Sequence, residues 1–435
     1  MGEREMNLLI AGAGIGGLTA ALSLHAAGCE VVRVVEAAPE IRPLGAGINL
    51  LPNAVRELAA LGLYGELLCR SVPLEQLGYF NHHGQTVWSE RRGHGAGHRW
   101  PQLAMSRGSL QELLADRVAE RLGPDAVRTD ARLTGFTVAD SGRVQVDLGH
   151  RARGGTASTV ETDVLVGADG IRSAVRGTLY PQEGAPRSQG VVVWRGVTRG
   201  RPFMGGRSMV VMGDGRWKVV VYPLADLPDA SGDVPVNWAA SYTGDLDGRP
   251  AEVRDRFLPR FADWRCEDLV LRDVLGGAEP AQEFPMMDRD PLPRWSFGPV
   301  TLLGDAAHAM APMGSNATTQ AVVDARALAH ALSPHADPVH ALREYDRERR
   351  PAMNRLQLMN RAKGPEVVID LACARAPEGF TGTGDADDVL PHRELAAIAH
   401  AYATAAGTDP DSANFPSPYG SPEGPACPVS AGAAR

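Results

Sequence analysis

Two turns far apart in this chain end apolar runs in a way that suits one long phosphorylated ligand. Gly12-Ala13-Gly14-Ile15-Gly16-Gly17 follows the run Asn7–Ala11 and opens an apolar helical stretch. There Gly12 allows a tight turn, Gly14 lets backbone approach a pyrophosphate, and Gly17 permits close helix–strand packing. A helix N-terminus adds N–H donors and partial positive charge. Glu36, about 20 residues on, closes the next apolar run where a carboxylate accepts ribose hydroxyls. By itself this turn fits NAD as well as FAD. The second turn, Gly304-Asp305, closes Val300-Thr301-Leu302-Leu303, and its carboxylate can accept from a polyhydroxyl chain. Phosphates held at one end and a ribitol at the other describe FAD.

Two further segments extend this pattern. Asp163-Val164-Leu165-Val166-Gly167-Ala168-Asp169-Gly170 is another strand ending in an acidic turn, continuing to Arg172 and Arg176. Pro312-Met313-Gly314-Ser315-Asn316 precedes a helix expected from about Ala317. Backbone N–H groups from Gly314 to Ala317 would face the flavin edge where reduction places negative charge, and a helix N-terminus stabilises it.

These turns need a scaffold. Asn7–Ala11 and Val31–Val35 read as buried strands around a helix from Leu18 to Ala27, and a second helix is expected from Asn53 as cap to Gly62. Ser109-Leu110-Gln111-Glu112 reads as a capping box opening a helix to Leu122. Residues 72–105 and Gly190–Tyr222 are strand-like, with Val191–Trp194 and Met209–Met212 the clearest segments. Asp337–Lys363 is helical with an expected interruption at Pro351, a Gly/Asp-rich loop spans 377–391, and 392–406 suits one more helix.

Composition excludes several classes. The chain has 435 residues, 44% hydrophobic and 22% charged, with net charge -8, which disfavours nucleic acid as a partner. Cys29, Cys69, Cys266, Cys373 and Cys427 are unpatterned, which implies reduced thiols, a cytoplasmic protein and no metal site. The apolar stretch Leu8–Leu24 carries phosphate-turn glycines rather than membrane-span character, so neither a targeting segment nor a membrane partner is expected.

With Arg107 in Met105-Ser106-Arg107-Gly108-Ser109-Leu110 between them, the three motifs resemble the single-component FAD-dependent aromatic hydroxylases of the p-hydroxybenzoate hydroxylase family. The resemblance covers about residues 6 to 362. Arg42-Pro43-Leu44-Gly45-Ala46-Gly47-Ile48-Asn49, Val87–Glu90, Val193-Trp194-Arg195-Gly196-Val197 and Asp288–Pro293 are similar to a branch of phenazine-carboxylate and salicylate-hydroxylase-like monooxygenases. The resemblance implies an α/β fold: a Rossmann-like FAD-binding domain with an interleaved mixed β-sheet substrate domain and C-terminal helices. Residues 1–71, 106–180 and 296–365 would bind FAD, 72–105 and 181–295 would form the substrate domain, 366–407 a helical extension, and 408–435 a flexible tail.

By the same resemblance, Glu36, Ala37, Arg42 and Arg107 would serve the adenosine and pyrophosphate, together with Gly12, Gly14, Ile15, Gly16 and Gly17. Val127 would meet the adenine, and Gly47 and Ile48 would border the flavin. Asp169 and Gly170 would serve FAD while assisting NAD(P)H. Asp305, Pro312, Gly314, Asn316 and Ala317 would hold the ribitol and ring. Relatives commonly carry glycine after the asparagine, where this chain has Ala317 and Thr318. The reaction implied uses NADH or NADPH as a transient co-substrate and O2, and a flavin C4a-hydroperoxide hydroxylates an electron-rich aromatic or heteroaromatic. No enzyme nucleophile is required.

Trp194, Arg195, Met212 and Tyr222 are the expected pocket residues, on strands that should cover the flavin, and Arg195 is a candidate for steering a substrate carboxylate. His82-His83 reads as a turn before Gly84, and His308 as a positioning residue. A flavin oxidase or reductase that never hydroxylates is the alternative; a halogenase is disfavoured because neither Lys218 nor Lys363 is well placed for one. A monomer or homodimer is compatible with the sequence.

Overall fold

The computed structural model describes residues 6–42, 46–150, 158–244, 258–277, 282–332, 337–380 and 385–420. Positions 43–45 of the resemblance stretch, 381–384 of the Gly/Asp-rich loop and 421–435 of the expected tail lie outside the described residues.

Five strands form a parallel sheet in the order Val300–Leu302, Val164–Gly167, Asn7–Ala11, Val31–Val35, Val127–Arg128. Val164–Gly167 and Val300–Leu302 are buried throughout, as runs in a sheet covered on both faces must be. From Asn7–Ala11 the chain adds the next strand on one side and Val164–Gly167 on the other. The order therefore reverses between these two strands, and such a reversal opens a ligand crevice at the carboxyl ends.

The helix Ile15–Ala26 begins three residues before the expected Leu18. Gly14 is its N-cap in extended backbone, so Gly16 falls in the first turn, where a side chain would strike Leu303 and Ala321. Two other helix starts also differ. Arg107–Leu122 is capped by Ser106, whose Oγ accepts from Ser109 N–H at 3.4 Å, because Ser106 still has the extended backbone of the strand Gln102–Ser106. Pro52–Ala60 starts from Leu51, with Pro52 supplying a fixed φ at the first helical position, and Asn53 lies buried inside. The helix Pro338–Arg361 runs through Pro351, which is exposed there, so solvent can serve the carbonyl its missing N–H leaves unpaired.

A seven-stranded mixed sheet stands against this core, in the order Gln282–Asp288, Arg187–Gly200, Val234–Thr243, Trp217–Pro223, Ser208–Gly213, Gln76–Asn81, Thr86–Arg91. Only Ser208–Gly213 and Gln76–Asn81 pair in parallel. Within 72–105 the strands divide, because Ser71–Leu74 and Gln102–Ser106 pair instead with Gly47–Leu50 in a three-stranded antiparallel sheet. Side chains alternate across the large sheet. Its outer face packs Trp194, Met212, Val219 and Trp238 on Phe261 and Trp264, while Leu77, Tyr79, Met209, Val211 and Tyr222 turn inward.

The helix His392–Ala406 forms as expected. Residues 408–420, part of the expected flexible tail, pack on the body. Ser417 Oγ donates to the buried Glu57 at 2.7 Å, Arg326 donates to Gly420 O at 2.7 Å, and Asn414 accepts from Arg99 N–H at 2.7 Å. Glu57 is fully buried, and a buried carboxylate needs such donors. No helix among the described residues is long and apolar enough to cross a membrane.

Candidate active site

The three acidic or glycine turns meet at one edge of the parallel sheet. Ala11 pairs with Gly167 and Gly167 with Leu302, so Gly12, Ala168 and Leu303 emerge side by side, about 5 Å per strand apart. Gly12 has φ +105, and a Cβ there would collide with the Ala168 carbonyl. Beside Gly14 the space is open, and the helix Ile15–Ala26 has neither a side-chain cap nor an acidic residue in its first turn. Its free N–H groups face the crevice, a ready site for a pyrophosphate.

Polar groups line the rest of this edge. Glu36 accepts from Ala13 N–H and Ala38 N–H, each at 2.8 Å, and the remaining lone pairs of a carboxylate can take ribose hydroxyls. Val127 pairs with Val34 on the edge strand next to it, and Ala37 is half-buried at the same end. Arg107 is exposed on the first turn of its helix. Arg42 is exposed too, and is ion-paired with Glu40. Asp305 is exposed and makes no side-chain hydrogen bond to any described residue, although His308 three residues on is fully buried.

Asp169 orders the turn in which it lies. Its carboxylate accepts from Ser173 Oγ at 2.5 Å, Ala174 N–H at 2.6 Å and Val175 N–H at 3.3 Å, capping the helix Ala174–Leu179. Burial pushes its pKa up against these hydrogen bonds. Asp169 and Gly170 therefore offer the crevice their backbone, and the carboxylate orders the turn.

Behind Gly304-Asp305 lies a buried polar network. Asp324 lies 2.5 Å from His308 Nε2 and accepts from Arg349 Nε at 2.8 Å, and Gly304 N–H reaches it at 3.3 Å. Arg176, also buried, donates to the carbonyls of Ala306 at 3.1 Å and Ala307 at 2.9 Å and pairs with Glu183. These contacts fix the short helix Asp305–His308 and leave Asp305 itself directed outward. His308 thus braces this turn from the buried side.

The loop beyond it turns through Gly314 at φ +61 and Ser315 at φ +58 into the helix Asn316–Ala331, whose N-terminus also lacks a side-chain cap. Pro312 is exposed, Ala317 half-buried, and Asn316 buried, with its Oδ1 accepting from Gln320 and its Nδ2 3.1 Å from the Tyr402 hydroxyl. Gly47 N–H donates to Asn237 Oδ1 at 2.6 Å, which fastens the Gly47–Ile48 segment to the inner face of the large sheet.

On that inner face the pocket expectations separate. Arg195 and Tyr222 point inward. Trp194 and Met212 belong to the outer cluster, with Trp194 Nε1 donating to Glu283 at 2.9 Å. Strand alternation forbids neighbours such as Trp194 and Arg195 from sharing a face. Tyr222 is fully buried, and Arg195 Nε has no hydrogen-bond partner among the described residues. Desolvation lowers the Arg195 pKa, with Tyr222 acting against that fall. Lys218 also reaches inward, to Met313 Sδ at 3.3 Å and to Glu366, a placement not anticipated. His82 and His83 form the turn before Gly84, and burial lowers the His82 pKa.

An FAD binding domain family model matches residues 5–359. The phenazine 1,6-dicarboxylic acid hydroxylase PhzS of Lysobacter antibioticus is 42% identical over 369 residues, 82% of this chain and 89% of that protein. The chain belongs to the FAD-dependent aromatic hydroxylases. Another relative in this family, 3-hydroxybenzoate 6-hydroxylase 1 of Aquipseudomonas alcaligenes, is 32% identical over 82% of this chain and 88% of its own. In fold the hydroxylase matches the solved structure of Klebsiella pneumoniae HpxO complexed with FAD and uric acid, with TM-score 0.75 and 24% identity over 93% of this chain and 97% of that one. It is an FAD-dependent aromatic monooxygenase, and the crevice residues suit that cofactor: two uncapped helix N-termini, the Glu36 carboxylate, and the outward Asp305 and Arg107.

Three contributors to the hydroxylase site were missed in the sequence. Gln111 donates to Ala13 O at 2.8 Å; its place one turn after Arg107 was a usable signal. Asn237 is a buried polar residue in an apolar strand, a weaker one. Tyr402 had none, because it meets Asn316 only through the fold.

Proposed function

We propose that this monooxygenase hydroxylates a planar, electron-rich aromatic carboxylate of the phenazine or hydroxybenzoate type, with NADH or NADPH as transient reductant and O2 as oxidant. Arg195 carries this reading. Its side chain is half-buried on the inner sheet face, desolvation lowers its pKa, and its Nε has no hydrogen-bond partner among the described residues. An unpaired buried cation is costly, and an anionic ligand offsets that cost. The relatives named for acids of this kind support the same class.

Bound FAD supplies the redox chemistry, accepting hydride and activating O2. The chain's residues bind and orient. Glu36, Arg107 and the Gly12–Gly17 turn would hold the adenosine diphosphate, Asp305 the ribitol, and Gly47, Ile48 and the 312–317 loop the ring. The large sheet would then close over the ring, with Arg195 and Tyr222 orienting the substrate and Val193, Ala311 and Met313 excluding water. Only one parallel sheet of this type is present among the described residues, which supports a reductant that docks without a nucleotide-binding unit of its own. The parallel sheet would serve as the FAD-binding domain and the seven-stranded sheet as the substrate domain.

The test is NAD(P)H oxidation in the presence of a panel of aromatic carboxylates, with mass spectrometry of the products. At least one member should accelerate oxidation and gain one oxygen atom. Stimulated oxidation that yields only peroxide with every member would overturn the proposal.

A further inference from the structure

Lys218 lies on the strand Trp217–Pro223, and its ion pair with Glu366 forms part of the wall of a cavity, beside Ser241, Met286 and Met313. Glu366 also borders a second, smaller cavity that reaches Met209 and the Gly314–Asn316 loop. The pair therefore stands between two spaces flanking the loop that borders the flavin.

Lys218 and Arg195 share the inner face. Lys218 pairs with Ser241 and Ser241 with Val193, so Arg195 is two strands across and two residues along. At about 4.8 Å per strand and 3.3 Å per residue, their Cα atoms are about 12 Å apart. Val193 and Ala239, both partly or fully buried, belong to the apolar cluster on this face. The Nε of one cation has no hydrogen-bond partner among the described residues, and the other cation is held by a carboxylate that a ligand carboxylate can replace.

We infer that Lys218 is a second anion anchor of the substrate site, with Glu366 occupying it until a substrate carboxylate displaces it. This rests on the hydroxylation reading above and narrows it: the site selects a planar polycyclic aromatic with an acidic group at each end. Exchanging one carboxylate for another leaves Lys218 paired throughout, so no buried cation is stranded. The released Glu366 side chain can turn into the second cavity, where Arg92 lines the wall.

The experiment is equilibrium binding to the FAD-loaded protein, read from perturbation of the flavin absorption, with phenazine-1,6-dicarboxylate and its monocarboxylate as probes. The wild type should bind the dicarboxylate at least about tenfold tighter, as a desolvated charge pair implies. Lys218→Met should abolish that preference. Glu366→Gln, which removes the competing carboxylate, should increase it. The inference is overturned if Lys218→Met keeps the preference, or if both variants weaken both probes alike, the mark of a purely structural pair. A wild type that shows the preference yet transfers no oxygen would leave this inference standing and sink the hydroxylation reading instead. Oxygen transfer with an unchanged preference in Lys218→Met would do the reverse.

Discussion

Tyr402 and Gly314 lie face to face: the phenol ring fills the space a Cβ on Gly314 would need, and its hydroxyl lies 2.9 Å from the Met313 carbonyl and 2.6 Å from Asn360 Oδ1. A residue of the helix His392–Ala406 thus holds the left-handed turn that leads into the helix Asn316–Ala331. Gly314→Ala combines this clash with a positive φ costing roughly 1–2 kcal/mol. It should weaken FAD binding about tenfold or more by fluorescence titration. Tyr402→Phe keeps the ring and loses about 1 kcal/mol of hydrogen bonding, so its melting temperature should fall by a few degrees and its peroxide yield per NAD(P)H should rise.

Asp305 separates cofactor binding from folding. Its carboxylate is exposed and makes no hydrogen bond to any described residue, so Asp305→Ala should leave the melting temperature of the FAD-free protein unchanged. A lost charge-assisted hydrogen bond of about 1.5–3 kcal/mol should raise the FAD dissociation constant by at least about tenfold. A destabilised FAD-free protein would contradict this assignment.

Asp324 sets an acid limit. Burial alone would raise its pKa, but the charges of His308 and Arg349 outweigh that and hold it below the usual carboxylate range. The folded value therefore lies under the unfolded one of about 3.9. Its stabilisation is complete above about pH 4 and is lost as pH falls through the folded value. Asp324→Asn should show a shallower loss of stability below pH 4. At pH 7 it should be roughly 3–5 kcal/mol less stable in denaturant melts, because Arg349 is left buried without its anion.

Arg195 gives effects of opposite sign on stability and binding. Arg195→Met removes a half-buried cation whose Nε has no hydrogen-bond partner among the described residues, so the ligand-free protein should melt at the same temperature or higher. The same change should raise KM for aromatic carboxylates about tenfold or more with FAD affinity unaltered. A lower melting temperature with unchanged KM would reassign Arg195 to the scaffold.

The cofactor end of the site was legible because its determinants are local. A glycine turn needs no distant partner to be recognised, and Glu36 and Asp305 sit at the ends of visible apolar runs. Helix starts were less legible. Ser106 and Ser109 both suit a cap, and only the strand geometry at Ser106 decides between them. Trp194 shows a different gap: alternation says it cannot face the same way as Arg195, but not which of the two turns inward.

By itself the sequence determined the fold class and the cofactor, since these follow from motif spacing along short segments. The tertiary structure alone decided which residues lie on the inner face of the large sheet, that the Asp169 carboxylate orders its own turn, and that Tyr402, Lys218 and Glu366 converge on the 312–316 loop. Those contacts join segments far apart in the chain, and their pairing is set by register and packing, which leave no periodic trace in either segment alone.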